Sequence, residues 1–172
     1  MPFQTTATRI WKRLDPATRL AAATQFWSEP PADVAGAAMG TIAGARKMRP
    51  QAVRGMSADA KAKALATVLD PGESVAASLL VALHLGHRRS MLAAFLDALG
   101  MPHEDGLLKE DAPADPPPSV EQVRSAAEGL VARFPLGDVE VYLNTLLVQD
   151  PDHWQSVRDC EDLVAPQASS RE

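Results

Sequence analysis

His84 and His87 lie three residues apart, and His103-Glu104-Asp105 follows one predicted helix later. Two or three imidazoles with a carboxylate form a donor set that holds zinc or iron and activates bound water. That chemistry needs a helix running through Gly86, so that the first two rings share a face, and a hairpin that returns His103 to them. Gly86 argues the other way. At the end of an apolar helix a glycine reads as a left-handed cap, which breaks the helix and parts the rings. Arg88 and Arg89 would also repel a cation. No metal is therefore assigned, and a metal-dependent or acid–base enzyme using His84, His87 and His103 is kept as the alternative reading. Ser90 lies near His87, but a spacing of three is no sign of a triad, which is assembled from distant segments. Asp97, Glu104 and Asp105 follow a helix end, where solvated charge is common. The chain holds no G-x-G-x-x-G, P-loop, nucleophile elbow or zincin pattern. No catalytic residue and no cofactor is assigned.

A second cluster has binding rather than catalytic chemistry. Arg46, Lys47, Arg49, Arg54, Lys61 and Lys63 are opposed only by Asp59. Such a run neutralises phosphates and gives an affinity that falls steeply with salt. It lacks the interleaved aromatics that stack on single strands and a recognition helix after a tight turn, and the pI near 5.4 is wrong for a dedicated nucleic-acid binder. Arg46, Lys47, Arg49 and Arg54 are the binding candidates. A solvated loop or an acidic protein surface suits them better than nucleic acid, which stays as a second alternative through Arg46–Lys63.

Charge is divided along the chain. The net charge of −5 conceals 12 Lys and Arg against 6 Asp and Glu over residues 1–96, and 5 against 16 over residues 97–172. A chain polarised from +6 to −11 steers oppositely charged partners, docks its own halves or stacks head to tail.

A third feature is positional. Gly36, Gly40 and Gly44 recur every four residues on one stripe of a predicted helix, Val34 to Lys47. Each costs an isolated helix about 0.8–1 kcal/mol relative to alanine. A second backbone pressed against the stripe would offset that. An intramolecular helix crossing is the simpler expectation, and a homodimer seam through Gly36, Gly40 and Gly44 is the other.

The elements that must carry these residues are all helical. Of 172 residues, 46% are hydrophobic and only 5% aromatic, so Ala, Leu and Val build the core. A chain of this length buries roughly 70% of its unfolded surface. No apolar run approaches the ~18 residues that span a bilayer, and no secretory pattern opens the sequence. With Cys160 the only cysteine, no internal disulfide forms. A cytoplasmic protein without membrane segments is expected.

Helix starts are punctuated by Asp15-Pro16, Asp33, Ser57, Asp70-Pro71, Ser119, Asp138 and Asp150-Pro151. Glu73 after Asp70, and Gln122 after Ser119, predict capping boxes. Inward faces include Ile10, Trp11 and Leu14; Leu20, Ala23, Phe26 and Trp27; Val75, Leu79, Leu80 and Leu83; Met91, Leu92, Phe95 and Leu96; Val123, Ala127, Leu130 and Val131; and Tyr142, Leu143, Leu146 and Trp154. Asp70 to Gly106, the most apolar stretch, reads as two helices broken near Gly86.

The expected fold is all-α, with seven or eight helices as stacked helical hairpins, either an α-solenoid-like array or an orthogonal bundle. Residues 1–108 form a helical-hairpin region, 109–118 a Pro-rich linker, 119–164 a C-terminal helical unit packing on the first, and 165–172 a disordered tail. Leu14-Asp15-Pro16 and Leu69-Asp70-Pro71 open two similar hairpins, a shared punctuation without shared core letters. Function is then expected to be protein–protein interaction or scaffolding, with a protein partner and no enzyme.

Overall fold

A computed structural model describes residues 5–109, 116–160 and 162. Among them are ten helices and one two-stranded hairpin, so the fold is all-α. The chain divides between Arg88 and Arg89 into two compact units. The tail reading over 165–172 lies outside the described residues, as does most of the linker reading over 109–118.

The first unit holds α1 (Ala7–Arg13), α2 (Pro16–Ser28), α3 (Ala32–Arg46), α4 (Pro50–Arg54), α5 (Ala58–Ala66) and α6 (Glu73–His87). Helix α2 is its centre, packed against α5 and α6, while α1 packs on α6 and α3 on α4, α5 and α6. The core is Trp11, Phe26, Ile42, Val53, Leu65, Leu79, Leu80 and Leu83, all buried. Leu20, expected inward, is 37% exposed. Two polar anchors tie the crossings. The Trp11 indole N–H donates to the Val68 carbonyl at 2.8 Å. Arg19 donates to the Ala66 carbonyl at 3.0 Å and the Leu14 carbonyl at 2.8 Å, so one guanidinium satisfies the ends of α5 and α1.

Helix α6 corrects the sequence reading twice. It runs unbroken through Gly86 to His87, and its C-cap is Arg88. Gly86 serves packing instead of capping: a Cβ there would lie 2.5 Å from Gln25 Cγ, so the glycine lets the Gln25 side chain of α2 lie against α6. The start of α6 differs as well. Gly72, at φ 92°, is the N-cap, and no side chain caps it. Glu73 does not form a capping box with Asp70. Its carboxylate accepts from the Ala7 N–H at 2.6 Å, the Thr8 N–H at 3.2 Å and the Thr8 hydroxyl at 2.9 Å, and so closes the first turn of α1.

The three Asp-Pro pairs read as helix starts therefore do different work. Asp15 caps α2 by accepting from the Thr18 N–H at 2.9 Å. Asp70 caps nothing at α6, and Asp150 accepts from the His153 N–H at 3.1 Å in a turn before α10 (Gln155–Arg158). The shared letters therefore mark three differently built turns.

The second unit holds α7 (Arg89–Leu99), the hairpin β1 (His103–Glu104) and β2 (Leu107–Leu108), α8 (Val120–Val131), α9 (Leu136–Gln149) and α10. Helix α7 packs on α8 and on β1, and α10 packs on α8 and α9. Phe95 joins α7 to α9 and α10, with its ring edge-on to Tyr142 at 5.4 Å and tilted against Trp154 at 5.8 Å. The Ser119–Gln122 capping box forms with both bonds, at 2.9 Å and 3.2 Å. Asp33 and Asp138, read as caps, stand inside first turns; Pro31 and Pro135 are the N-caps of α3 and α9. Cys160 is buried, and burial pushes its thiol pKa up, which makes it a packing residue.

Candidate functional site

The four basic candidates sit where α3 passes into α4. Arg46 ends α3 and Lys47 is its cap, with φ 51° and ψ 43°. The Lys47 N–H reaches the Gly44 carbonyl at 3.4 Å and the Met48 N–H the Ala43 carbonyl at 2.9 Å. This is a Schellman closure with lysine where glycine is the usual residue. Arg49 is the N-cap of α4, Pro50 its first residue and Arg54 its last turn. All four basic side chains are exposed. Of the two further lysines, Lys61 lies over the Trp27 ring at 5.2 Å, and Lys63 pairs with Asp59 at 2.9 Å.

The positions of these cations also have a local cause. Lys12 and Arg13 lie in the last turn of α1, Arg46 in that of α3, Arg54 in that of α4 and Lys63 in that of α5. A cation near a helix C-terminus offsets the partial negative charge there by about 0.3–1 kcal/mol. Short helices ending repeatedly in Lys or Arg give the first unit its sign. Over residues 6–88 there are 11 Lys and Arg against 6 Asp and Glu; from residue 89 onward there are 6 against 16. The unit boundary thus divides the chain at +5 and −10, close to the division read from the letters alone.

No helix of the first unit crosses the glycine stripe. Gly36, Gly40 and Gly44 are exposed, and no atom of their unit lies within 4 Å of the place a Cβ would occupy on any of them. Packing falls on the opposite face of α3, through Val34, Ala38 and Ile42, and Ala43 is buried at the edge of the stripe. Asp33, Ala37 and Ala45 are exposed as well. The helix therefore presents a low, small-residue face with Asp33 at one end and Arg46-Lys47 at the other.

The histidines fall in different surroundings. His84 and His87 share unbroken α6, contrary to the expected break, but His84 is 3% exposed and His87 lies in solvent. The Leu80 carbonyl can only accept, so His84 Nδ1, 2.7 Å away, carries the proton. Burial lowers the His84 pKa to about 4, outweighing the Leu80 carbonyl, which favours the cation; Arg88 lowers it further. His103 belongs to the second unit, with Nε2 2.8 Å from Asp97 Oδ1 and Nδ1 3.0 Å from the Gly106 nitrogen. Both ring nitrogens are engaged, Nε2 with the Asp97 carboxylate and the Nδ1 lone pair with the Gly106 N–H. Among the described residues, no three His, Cys, Asp or Glu side chains are grouped to hold a metal ion.

The hairpin that carries His103 went unread in the sequence. Its signal is Asp105-Gly106, a two-residue loop with φ 50° and 84° joining His103-Glu104 to Leu107-Leu108. No helix among the described residues is long and apolar enough to cross a membrane. No protein-family model matches the chain, and no curated protein or solved structure matches it either.

Proposed function

We propose that the chain is a non-enzymatic protein–protein interaction module, with the glycine face of α3 as its docking surface. The observation that carries this reading is the openness of Gly36, Gly40 and Gly44 within their own unit. Three glycines in one exposed helix face weaken that helix by about 2–3 kcal/mol relative to alanine. Nothing inside the unit returns that cost, whereas close approach of another backbone would.

A second copy of the chain fits the register. A two-fold axis through Gly40 sets Gly36 of one α3 beside Gly44 of the other, and sends Asp33 toward the end that bears the second copy's Lys47. Antiparallel helices also oppose their dipoles favourably. The exposed Arg46 and Arg49 extend the positive end, which supports the expectation of an acidic protein surface opposite it.

Sedimentation equilibrium over a wide concentration range tests this. The expected result is a reversible dimer that Gly40→Leu converts to monomer, with helical content unchanged by circular dichroism. Charge reversal of Lys47 to Asp weakens the dimer, and the added change Asp33→Lys restores it. A monomer at every concentration, or a dimer indifferent to Gly40→Leu, overturns the reading.

A further inference from the structure

The β1–β2 hairpin is fastened to α7 by its own histidine. The Gly106 N–H can only donate, so His103 Nδ1, 3.0 Å away, must accept. The single proton of the neutral ring then sits on Nε2, which donates to Asp97 Oδ1 at 2.8 Å. One imidazole thus links the turn to α7, and only the neutral ring in this tautomer makes both bonds. Adding a proton places an N–H on Nδ1, facing the Gly106 N–H. The acceptor disappears and two donors oppose each other, while the bond to Asp97 persists as an ion pair.

Little else holds the turn in place. Strands of two residues each have no stability of their own in water. Leu107 and Leu108 are 40% and 51% exposed, so they anchor the hairpin weakly. The Arg89–Asp105 pair at 3.0 Å is exposed and contributes little. Gly106 itself is seated against the helix: a Cβ on it would stand 3.0 Å from both the Arg89 carbonyl oxygen and Leu92 Cβ. Leu92, beneath it, is 6% exposed. Asp97 on α7 is the charged group that meets the ring; Arg89 on α7 pairs with Asp105 of the turn, Glu104 follows His103 on β1, and β2 carries no charged residue.

We propose that residues 103–108 form a proton-operated flap on α7, seated over Leu92 while His103 is neutral and released at the turn when the ring is protonated. Amide exchange and imidazole nitrogen spectra of the full chain, from about pH 8 to about pH 5, test it. The neutral ring is expected to carry its proton on Nε2. Gly106 protection, corrected for intrinsic exchange, falls roughly three- to tenfold as the ring titrates, while Leu96 in α7 keeps its protection. The variant His103→Asn keeps an acceptor near the Nδ1 position and takes no proton, so its Gly106 protection stays flat with pH. A neutral ring protonated on Nδ1, a wild-type Gly106 amide insensitive to His103 titration, or an Asn variant with the wild-type pH dependence overturns the proposal.

Discussion

Gln25 occupies the space that a side chain on residue 86 would need: a Cβ on Gly86 would lie 2.5 Å from Gln25 Cγ and 2.6 Å from Cδ. The pair sets how closely the α2 side chain lies on α6, the most apolar helix of its unit. Alanine at residue 86 gains about 0.8–1 kcal/mol of helix propensity but must turn the half-buried Gln25 side chain aside, which offsets much of that gain. Gly86→Ala is therefore expected to leave stability nearly unchanged. In a Gln25→Ala background the same change should raise it by about 1 kcal/mol. A double-mutant cycle by urea denaturation measures the coupling between the two residues.

Glu73 offers a second test of a contact distant in sequence. Its carboxylate accepts three hydrogen bonds from Ala7 and Thr8, the arrangement an N-cap normally makes locally. Charge matters here, because the α1 N-terminus carries partial positive charge. Glu73→Gln should cost about 1 kcal/mol and Glu73→Ala up to about 2 kcal/mol. Faster amide exchange confined to the first turn of α1 would separate lost capping from general destabilisation of α6.

These two residues also show where the letters of the chain were legible. Asp15, Ser57 and Ser119 were readable as caps because each bonds within its own first turn, to Thr18, Ala60 and Gln122. Asp70 has the same local pattern, but Glu73 is taken by α1, and no short-range rule contains that contact. Gly86 was readable as a helix end only while its neighbour on α2 was unknown. The exposed cations Arg46, Lys47, Arg49 and Arg54 were legible as a surface. The spacing of Gly36, Gly40 and Gly44 announced a close approach without saying to what, and the expected partner inside the fold is absent from their unit. The hairpin escaped because Asp105-Gly106 is flanked by only two residues a side, too few for an alternating pattern to register.

His84 makes stability depend on acid. Its pKa is lowered by burial to about 4 in the fold, against 6.5 for the free side chain. Below pH 6.5 the unfolded chain binds a proton that the folded chain refuses, so stability is full above that value and declines as the pH falls toward 4. The loss attributable to this ring approaches about 3 kcal/mol at the acid end. Denaturation midpoints should fall over this window in the wild type. In His84→Gln, which has no ring to charge, the slope should shrink even if stability at neutral pH is lower.

The glycine face of α3 yields the prediction with two opposed readouts. Gly36, Gly40 and Gly44 have room for a methyl group within their unit, and none has positive φ. Each change to alanine should therefore stabilise the isolated chain by about 0.8–1 kcal/mol, measured by denaturation at concentrations too low for association. Lys47→Gly should add about 1 kcal/mol more, since lysine holds φ 51° where glycine carries no steric penalty. If another backbone docks on this face, the same alanines hold it away and weaken association while they strengthen the fold. A triple alanine variant that melts higher yet dissociates more readily is the expected outcome. One that melts higher with association unchanged would place the docking surface elsewhere on the chain.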